Sequence, residues 1–345
     1  MLAVIDFALI CILRENLRLI CLCLERLILC AAAAALPFTR FDYKLIHMTN
    51  ESWPELKFSE WQDTYATLHM WTQVIGKIRL KQTPLVNHWW NVPLYVSARG
   101  LTTSAMSYNE RIFEIEFDFI DHVLVIKCSD GAEKQLALRP QSVAAFYAEV
   151  MAALRELDLP VEIWTMPVEV PNPIRFEADH EHASYDPDYA NRFCRALVKI
   201  DEALKEFRAR FIGKVSPVHF FWGSFDMAVT RFSGKVAPER PGADLITREA
   251  YSHEVISHGF WPGNKDMEAA FYSYTAPEPP GLAEANVLPA SAFYSKEQKE
   301  FFLLYEEVIK PDSSGSPEKK LMDFLQSTYE AGADLAHWDR AALER

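Results

Sequence analysis

Residues 113–138 read FEIEFDFIDHVLVIKCSDGAEKQLAL. Phe113, Ile115, Phe117 and Phe119 alternate with Glu114, Glu116 and Asp118, a period of two that gives a strand with one buried face and one acidic, solvated face. Val123 to Cys128 supplies a second strand, and Asp130-Gly131 a tight turn into a third over Lys134 to Leu138. Strands grouped in this way, instead of alternating singly with helices, argue for antiparallel sheet and against a doubly wound parallel fold.

Helices are expected on both sides of this group. Ser59 with Gln62 reads as a capping box opening a helix from about Glu60 to Leu80, with Trp61, Tyr65, Leu68, Thr72 and Ile75 at helical spacing. Extended chain follows from Trp89 to Ala98. Pro140 and Ser142 introduce a helix carrying Val143, Phe146, Val150, Leu154 and Leu157, and Val161 to Thr165 is again extended. Residues 167–187 contain Pro167, Pro171, Pro173 and Pro187 without periodicity and read as a linker or long surface loop.

The second half repeats the order. Phe193, Leu197, Ile200, Leu204, Phe207 and Phe211 form a continuous helical stripe after Asp186-Pro187. Strands are expected over residues 218–232, 254–260 and 269–274. Ser295 and Gln298 read as the cap of a helix with Phe301, Leu304, Tyr305 and Val308, and Ser316-Pro317 begins the last one. The fold class is therefore α+β, two related modules of mainly antiparallel sheet covered by helices, over residues 48–166 and 188–335. An internal duplication is a hypothesis, since most positions do not match when the halves are laid together.

The chain has 345 residues, 35 basic and 48 acidic, for a formal charge of −13. That balance argues against a nucleic-acid partner. Residues 1–47 are rich in Leu, Cys and Ala, but Arg14, Glu15, Arg18, Glu25 and Arg26 interrupt every apolar run, so no stable membrane span is expected. The segment is read as an upstream extension outside the working protein; a targeting or anchoring helix, or one packed on the body, are the alternatives. Cys128 and Cys194 are the only other cysteines. They make no disulfide framework, which points to a reducing, cytoplasmic compartment.

No phosphate loop, dinucleotide fingerprint or nucleophile elbow is present, so no cofactor is assigned. His253 and His258 would stand about 140° apart on a helix and on opposite faces of a strand, which leaves no shared metal site there. His180 and His182 sit among acidic residues that read as a solvated loop. The candidate site comes instead from VNHWWNVPLYVSARGLT (86–102) and PVHFFWGSFDMAVTRFS (217–233), each with a His before an aromatic pair and an Arg eleven or twelve residues later. His88, Trp89, Arg99, Trp222, Arg231 and Trp261 are the candidate ligand-binding residues, suited to a small anionic or aromatic molecule in a cleft between the modules. His219 and His253 are the acid–base candidates, with Glu254 as partner. A noncatalytic protein-interaction or homodimerisation module is the alternative, and a small-molecule enzyme using His/Glu acid–base chemistry a third reading.

The stretches NHWWNVPLYVSARGLTT, FEIEFDFIDHVLVI, SPVHFFWGSFDMAVTRFSG and SHEVISHGFWPG closely resemble a bacterial family of unknown function, domain-of-unknown-function family 5996. The likeness runs from about Trp53 to Leu335. It implies no activity, cofactor or catalytic residue.

Overall fold

The computed structural model describes residues 53–345 other than Ser314; the expectations for residues 1–47 lie outside the described residues. Two antiparallel sheets of six strands each define the α+β fold. The first holds β1 (Tyr95–Val96), β2 (Gly100–Thr102), β3 (Met106–Tyr108), β4 (Arg111–Asp118), β5 (Val123–Cys128) and β6 (Glu133–Ala137). Its order is β1-β2-β4-β5-β6, with β3 also on β4. Phe113, Ile115 and Phe117 are buried and Glu114 and Glu116 are not, as their alternation requires.

The second sheet holds β7 (His219–Phe221), β8 (Asp226–Val236), β9 (His253–Trp261), β10 (Ala270–Ala276), β11 (Phe293–Ser295) and β12 (Glu300–Leu304), in the order β11-β12-β10-β9-β8-β7. Leu94, just before β1, exchanges two backbone hydrogen bonds of 2.9 Å with Phe220 of β7. One hydrophobic core takes residues from both sheets.

Two local expectations are corrected. Residues 218–232 are two strands, because Trp222 to Phe225 turn sharply, with Phe225 in the left-handed region (φ 59°). Residues 295–309 are mostly a hairpin, β11 and β12, and only Tyr305–Ile309 is helical. Ser295 does accept a hydrogen bond from the Gln298 N–H at 3.2 Å, but Lys299 then donates to the Ser295 carbonyl with φ 60°, which closes a strand-to-strand turn. Hydroxyl-capped turns and helix N-caps share this chemistry.

The helices are α1 (Phe58–Gln82), α2 (Val143–Glu156), α3 (Pro187–Ala209), α4 (Leu245–Ala250), α5 (Tyr305–Ile309), α6 (Pro317–Leu335) and α7 (Arg340–Leu343). Ser142, Asp186 and Ser316 cap α2, α3 and α6 with their side chains. α1 departs from its predicted cap: Lys57 occupies that position, and Glu268 from another part of the chain accepts the Phe58 N–H at 2.9 Å.

α1 is buried on every side from Thr67 to Arg79. A helix so enclosed is expected to be apolar all round, yet this stretch contains Thr67, His69, Thr72, Gln73, Lys77 and Arg79. Thr67, His69, Gln73 and Arg79 hold backbone from other segments, Thr72 donates to the His69 carbonyl within the helix, and the Lys77 ammonium lies over the Trp164 ring. Gln73 both donates to the Val168 carbonyl (2.8 Å) and accepts the Val168 N–H (2.9 Å). Thr64 and Thr67 accept the N–H groups of Asp186 and Ser184. His69 Nε2 lies 2.8 Å from the Gly223 carbonyl, and Arg79 donates to the Thr103 carbonyl. The long connection 167–187 is thereby pinned to α1, with Tyr185 stacked on Trp71.

Gly76 sits where α1 meets Trp222, and a Cβ there would fall inside the indole ring. Trp222 is fixed in turn by its indole N–H on the Val92 carbonyl at 2.8 Å. Glycine in a helix interior loses about 1 kcal/mol against alanine, so Gly76→Ala should stabilise a helix with room to spare. Here the overlap dominates, and we expect a net loss of about 1–3 kcal/mol in urea unfolding. Combining it with Trp222→Leu should recover part of that loss; a stabilised single mutant would disprove the packing account.

Candidate functional site

Strand alternation gives the second sheet two chemically different faces. Arg231, Ile256, His258 and Phe271 face α3 and α6. The opposite face carries His219, Ala228, Thr230, Phe232, Ser257 and Tyr272, which the register places in adjacent positions. Thr230 and Ser257 share a hydrogen bond of 2.9 Å across β8 and β9. Tyr272 reaches over Gly259 to donate to Asp226, and any side chain at 259 would meet the tyrosine ring.

Residues 87–89 form a short turn in which His88 and Trp89 both adopt left-handed backbone (φ 58° and 61°). This turn carries His88 and Trp90 to the end of that face. The His88 N–H donates to Glu249 Oε1 at 3.1 Å, and Nδ1 lies 3.0 Å from the Glu249 carbonyl. Lys214 Nζ is 2.6 Å from Nε2. A nitrogen facing a carbonyl must donate and one facing an ammonium must accept, so His88 is neutral with its proton on Nδ1. Burial, and then the Lys214 charge, hold its pKa below the ordinary value. Its ring contacts Trp90, Phe232 and His253, with centroids 5.3, 4.8 and 5.7 Å away. Lys214 also lies 5.3 Å from the Trp90 ring centre, within cation–π range.

His219 is joined to this group through Trp90, at 5.9 Å between ring centroids, and touches Tyr95 at 5.7 Å. Only 1% of its surface is exposed. Neither ring nitrogen has a hydrogen-bond partner within the described residues. Burial, and then the positive charges of Arg79 and Arg208, lower its pKa to about 3. Both arginines are held by backbone carbonyls, Arg79 on Thr103 and Arg208 on Ser216.

Two of the predicted residues, His88 and His219, therefore flank Trp90, and a third, His253, meets the His88 ring. Others go elsewhere. Arg99 is clamped by Asp118 and by Asp121 (2.6 Å), and Asp118 also accepts the N–H groups of Ile120 and Asp121. Arg231 is on the helical face, 3.5 Å from the Phe207 ring centre and 4.3 Å from that of Tyr329, donating to the Phe207 carbonyl. Its surroundings share no residue with those of Arg99. Trp222 packs on α1, and Trp261 meets the Tyr65 hydroxyl. The Trp89 indole N–H is buried and has no partner among the described residues. Glu254 points away from His253, as successive strand residues must, with Lys235 3.9 Å off.

Trp90, Tyr95, Lys214 and Phe232 were missed. The signal for Trp90 was its two-residue offset from His88; Lys214 had none. Among the described residues, no group of three or more His, Cys, Asp or Glu is placed to hold a metal, and no helix is long and apolar enough to cross a membrane. His182 Nδ1 is engaged by Asp179 at 2.8 Å.

A family model, the Family of unknown function (DUF5996), matches residues 53–345. The chain belongs to the DUF5996 family. No curated protein and no solved structure matches it. The chemistry of this DUF5996 chain must therefore be read from its own side chains.

Those side chains make a pH prediction. Burial lowers the pKa of His69 to about 4 and that of His219 to about 3. The unfolded chain binds protons near 6.5 and the folded chain does not, so stability is present above pH 6.5 and is lost as pH falls. From the size of the shifts, each histidine should remove about 3 kcal/mol by pH 4. Urea midpoints measured from pH 7 to 4 should fall steeply, and less steeply in His219→Phe. A flat profile would mean that these rings find proton acceptors.

Proposed function

We propose that this protein binds a small anionic aromatic molecule against Trp90 and Tyr95, with His219 supplying the hydrogen bond that orients it. The observation that carries the reading is the pair of buried, unpartnered nitrogens on His219. Buried polar atoms are nearly always paired, and each one left without a partner destabilises the fold by about 1–3 kcal/mol. A ligand with a polar edge removes that penalty. The sign of its charge follows from the neighbours: Arg79 and Arg208 are the charges felt at His219, and Lys214 lies beyond Trp90. Trp90 is half-buried and covers His219, so access is through movement of this indole.

Binding fits these groups better than acid–base catalysis. An imidazole held near 3 is neutral at pH 7 and a weak base, far from the matched value that general-base catalysis needs. Glu254 is turned away from His253 and gives it no carboxylate partner.

The test is a titration with benzoate, with benzamide as its uncharged counterpart, followed by tryptophan fluorescence. Benzoate should bind saturably and at least tenfold more tightly than benzamide, with affinity falling as salt rises. His219→Phe should abolish binding while raising stability by about 1–3 kcal/mol, because it keeps the ring and removes both unpaired nitrogens. Equal binding of the two probes, or a destabilised His219→Phe, would sink the reading.

A further inference from the structure

Toward the β11 edge of the same sheet face lies a cavity of about 310 Å³, lined in part by Arg240, Tyr251, Tyr274, Glu278, Lys299 and Glu300. Two of its four charges are matched to each other. Lys299 Nζ is 3.6 Å from Glu278, which also accepts the Tyr294 hydroxyl proton at 2.6 Å. The other two are not. The Glu300 carboxylate has no hydrogen bond or ion pair within the described residues, and the charge that acts with burial to raise its pKa is another carboxylate, Asp226. The Arg240 guanidinium has no acidic partner there either; it stacks on Tyr251, 4.0 Å from the ring centre. The rings of Tyr251 and Tyr274 stand between them as a wall, with their hydroxyls 3.0 Å apart.

A cavity that keeps one cation and one anion unmatched fits a ligand carrying one of each. We propose that it binds a small aliphatic zwitterion, with its carboxylate on Arg240, its ammonium on Glu300 and its methylenes against Tyr251 and Tyr274. Arg240 suits a carboxylate because the guanidinium fork can meet both oxygens. Glu300 suits an ammonium because burial, and then Asp226, push its carboxyl up to about 7, an effect that a neighbouring cation relieves. The volume is at the small end of the range for ligand pockets, which favours a compact molecule. A lone anion would leave Glu300 unmatched, and a lone cation would leave Arg240 so.

His219 and Trp90 are not among the residues that line this cavity, and the experiment keeps the two ligand assignments apart. Thermal shift and calorimetric titration would use glycine, β-alanine, 4-aminobutyrate and 6-aminohexanoate, with propionate and propylamine as singly charged controls. At a concentration of about 10 mM, one member of the series should raise Tm by mass action. The chain length at the maximum reports the separation of Arg240 from Glu300. Either control should bind at least tenfold more weakly than that member. Glu300→Gln and Arg240→Gln should each abolish the response with the far-ultraviolet circular dichroism unchanged, and Glu300→Gln keeps the shape of the side chain, so it should fold. His219→Phe should leave the response intact. Controls that match the best zwitterion, a response that survives both substitutions, or no response from any member at about 50 mM, would overturn the proposal.

Discussion

A backbone amide removed from water must find a partner, and in this protein one helix provides partners for several separate stretches of chain. α1 runs through the interior, enclosed on all sides from Thr67 to Arg79. Its polar side chains are tolerated because Thr64, Thr67, His69, Gln73 and Arg79 each bind a main-chain group of another segment. Residues 167–187, the Trp222–Phe225 turn and Thr103 just after β2 are all bonded to it. Truncating any of these side chains would leave both a void and an unpaired peptide group, which is costlier than the loss of apolar area alone.

That arrangement leaves the second sheet with unequal faces. Helices α3 and α6 cover one, where His258 Nε2 meets Thr328 at 3.0 Å and Arg231 sits inside an aromatic cage, with His258 Nδ1 and Arg231 Nε unpaired among the described residues. The other is bordered by short segments, the 87–92 turn and α4, in place of a long helix. Hydroxyls, carboxylates and imidazoles gather there. The unmatched groups that motivate both ligand assignments lie on this face or at its rim, although His219, Phe232 and Ser257 are themselves buried.

The antiparallel class was legible because β4 and β5 carry strict alternation and a turn dipeptide within one short stretch. Ser142, Asp186 and Ser316 were legible as caps because an apolar stripe at helical spacing follows each. Ser295 was not, since its hydroxyl closes a hairpin with the same local bond. The candidate site was half legible. His88, His219 and His253 were visible beside aromatic residues, but the arginines were not placeable by counting. The turn at Trp222–Phe225 resets strand parity: His219 pairs with Ala228, so even-numbered residues of β8 share its face, and Arg231 falls on the other. Similarly, two left-handed residues at 88 and 89 bring Trp90, not Trp89, onto the His88 ring. Parity survives only along uninterrupted strand, and both segments are interrupted.

The same reasoning bears on why His219 is an imidazole at all. A phenyl ring would fill the volume between Trp90 and Tyr95 and carry no unpaired nitrogen, so packing alone favours Phe, as at the neighbouring Phe220 and Phe221. Nor does His219 serve as a structural clasp, since neither nitrogen holds backbone in the way His69 and His88 do. His219 is one of several buried side chains with a polar atom unpaired among the described residues, and it is set apart by having both ring nitrogens so. The contrast with His88 sharpens this. His88 has both nitrogens engaged and one face against His253, so it belongs to the frame of the pocket, and His219 is the side chain left able to make a new bond.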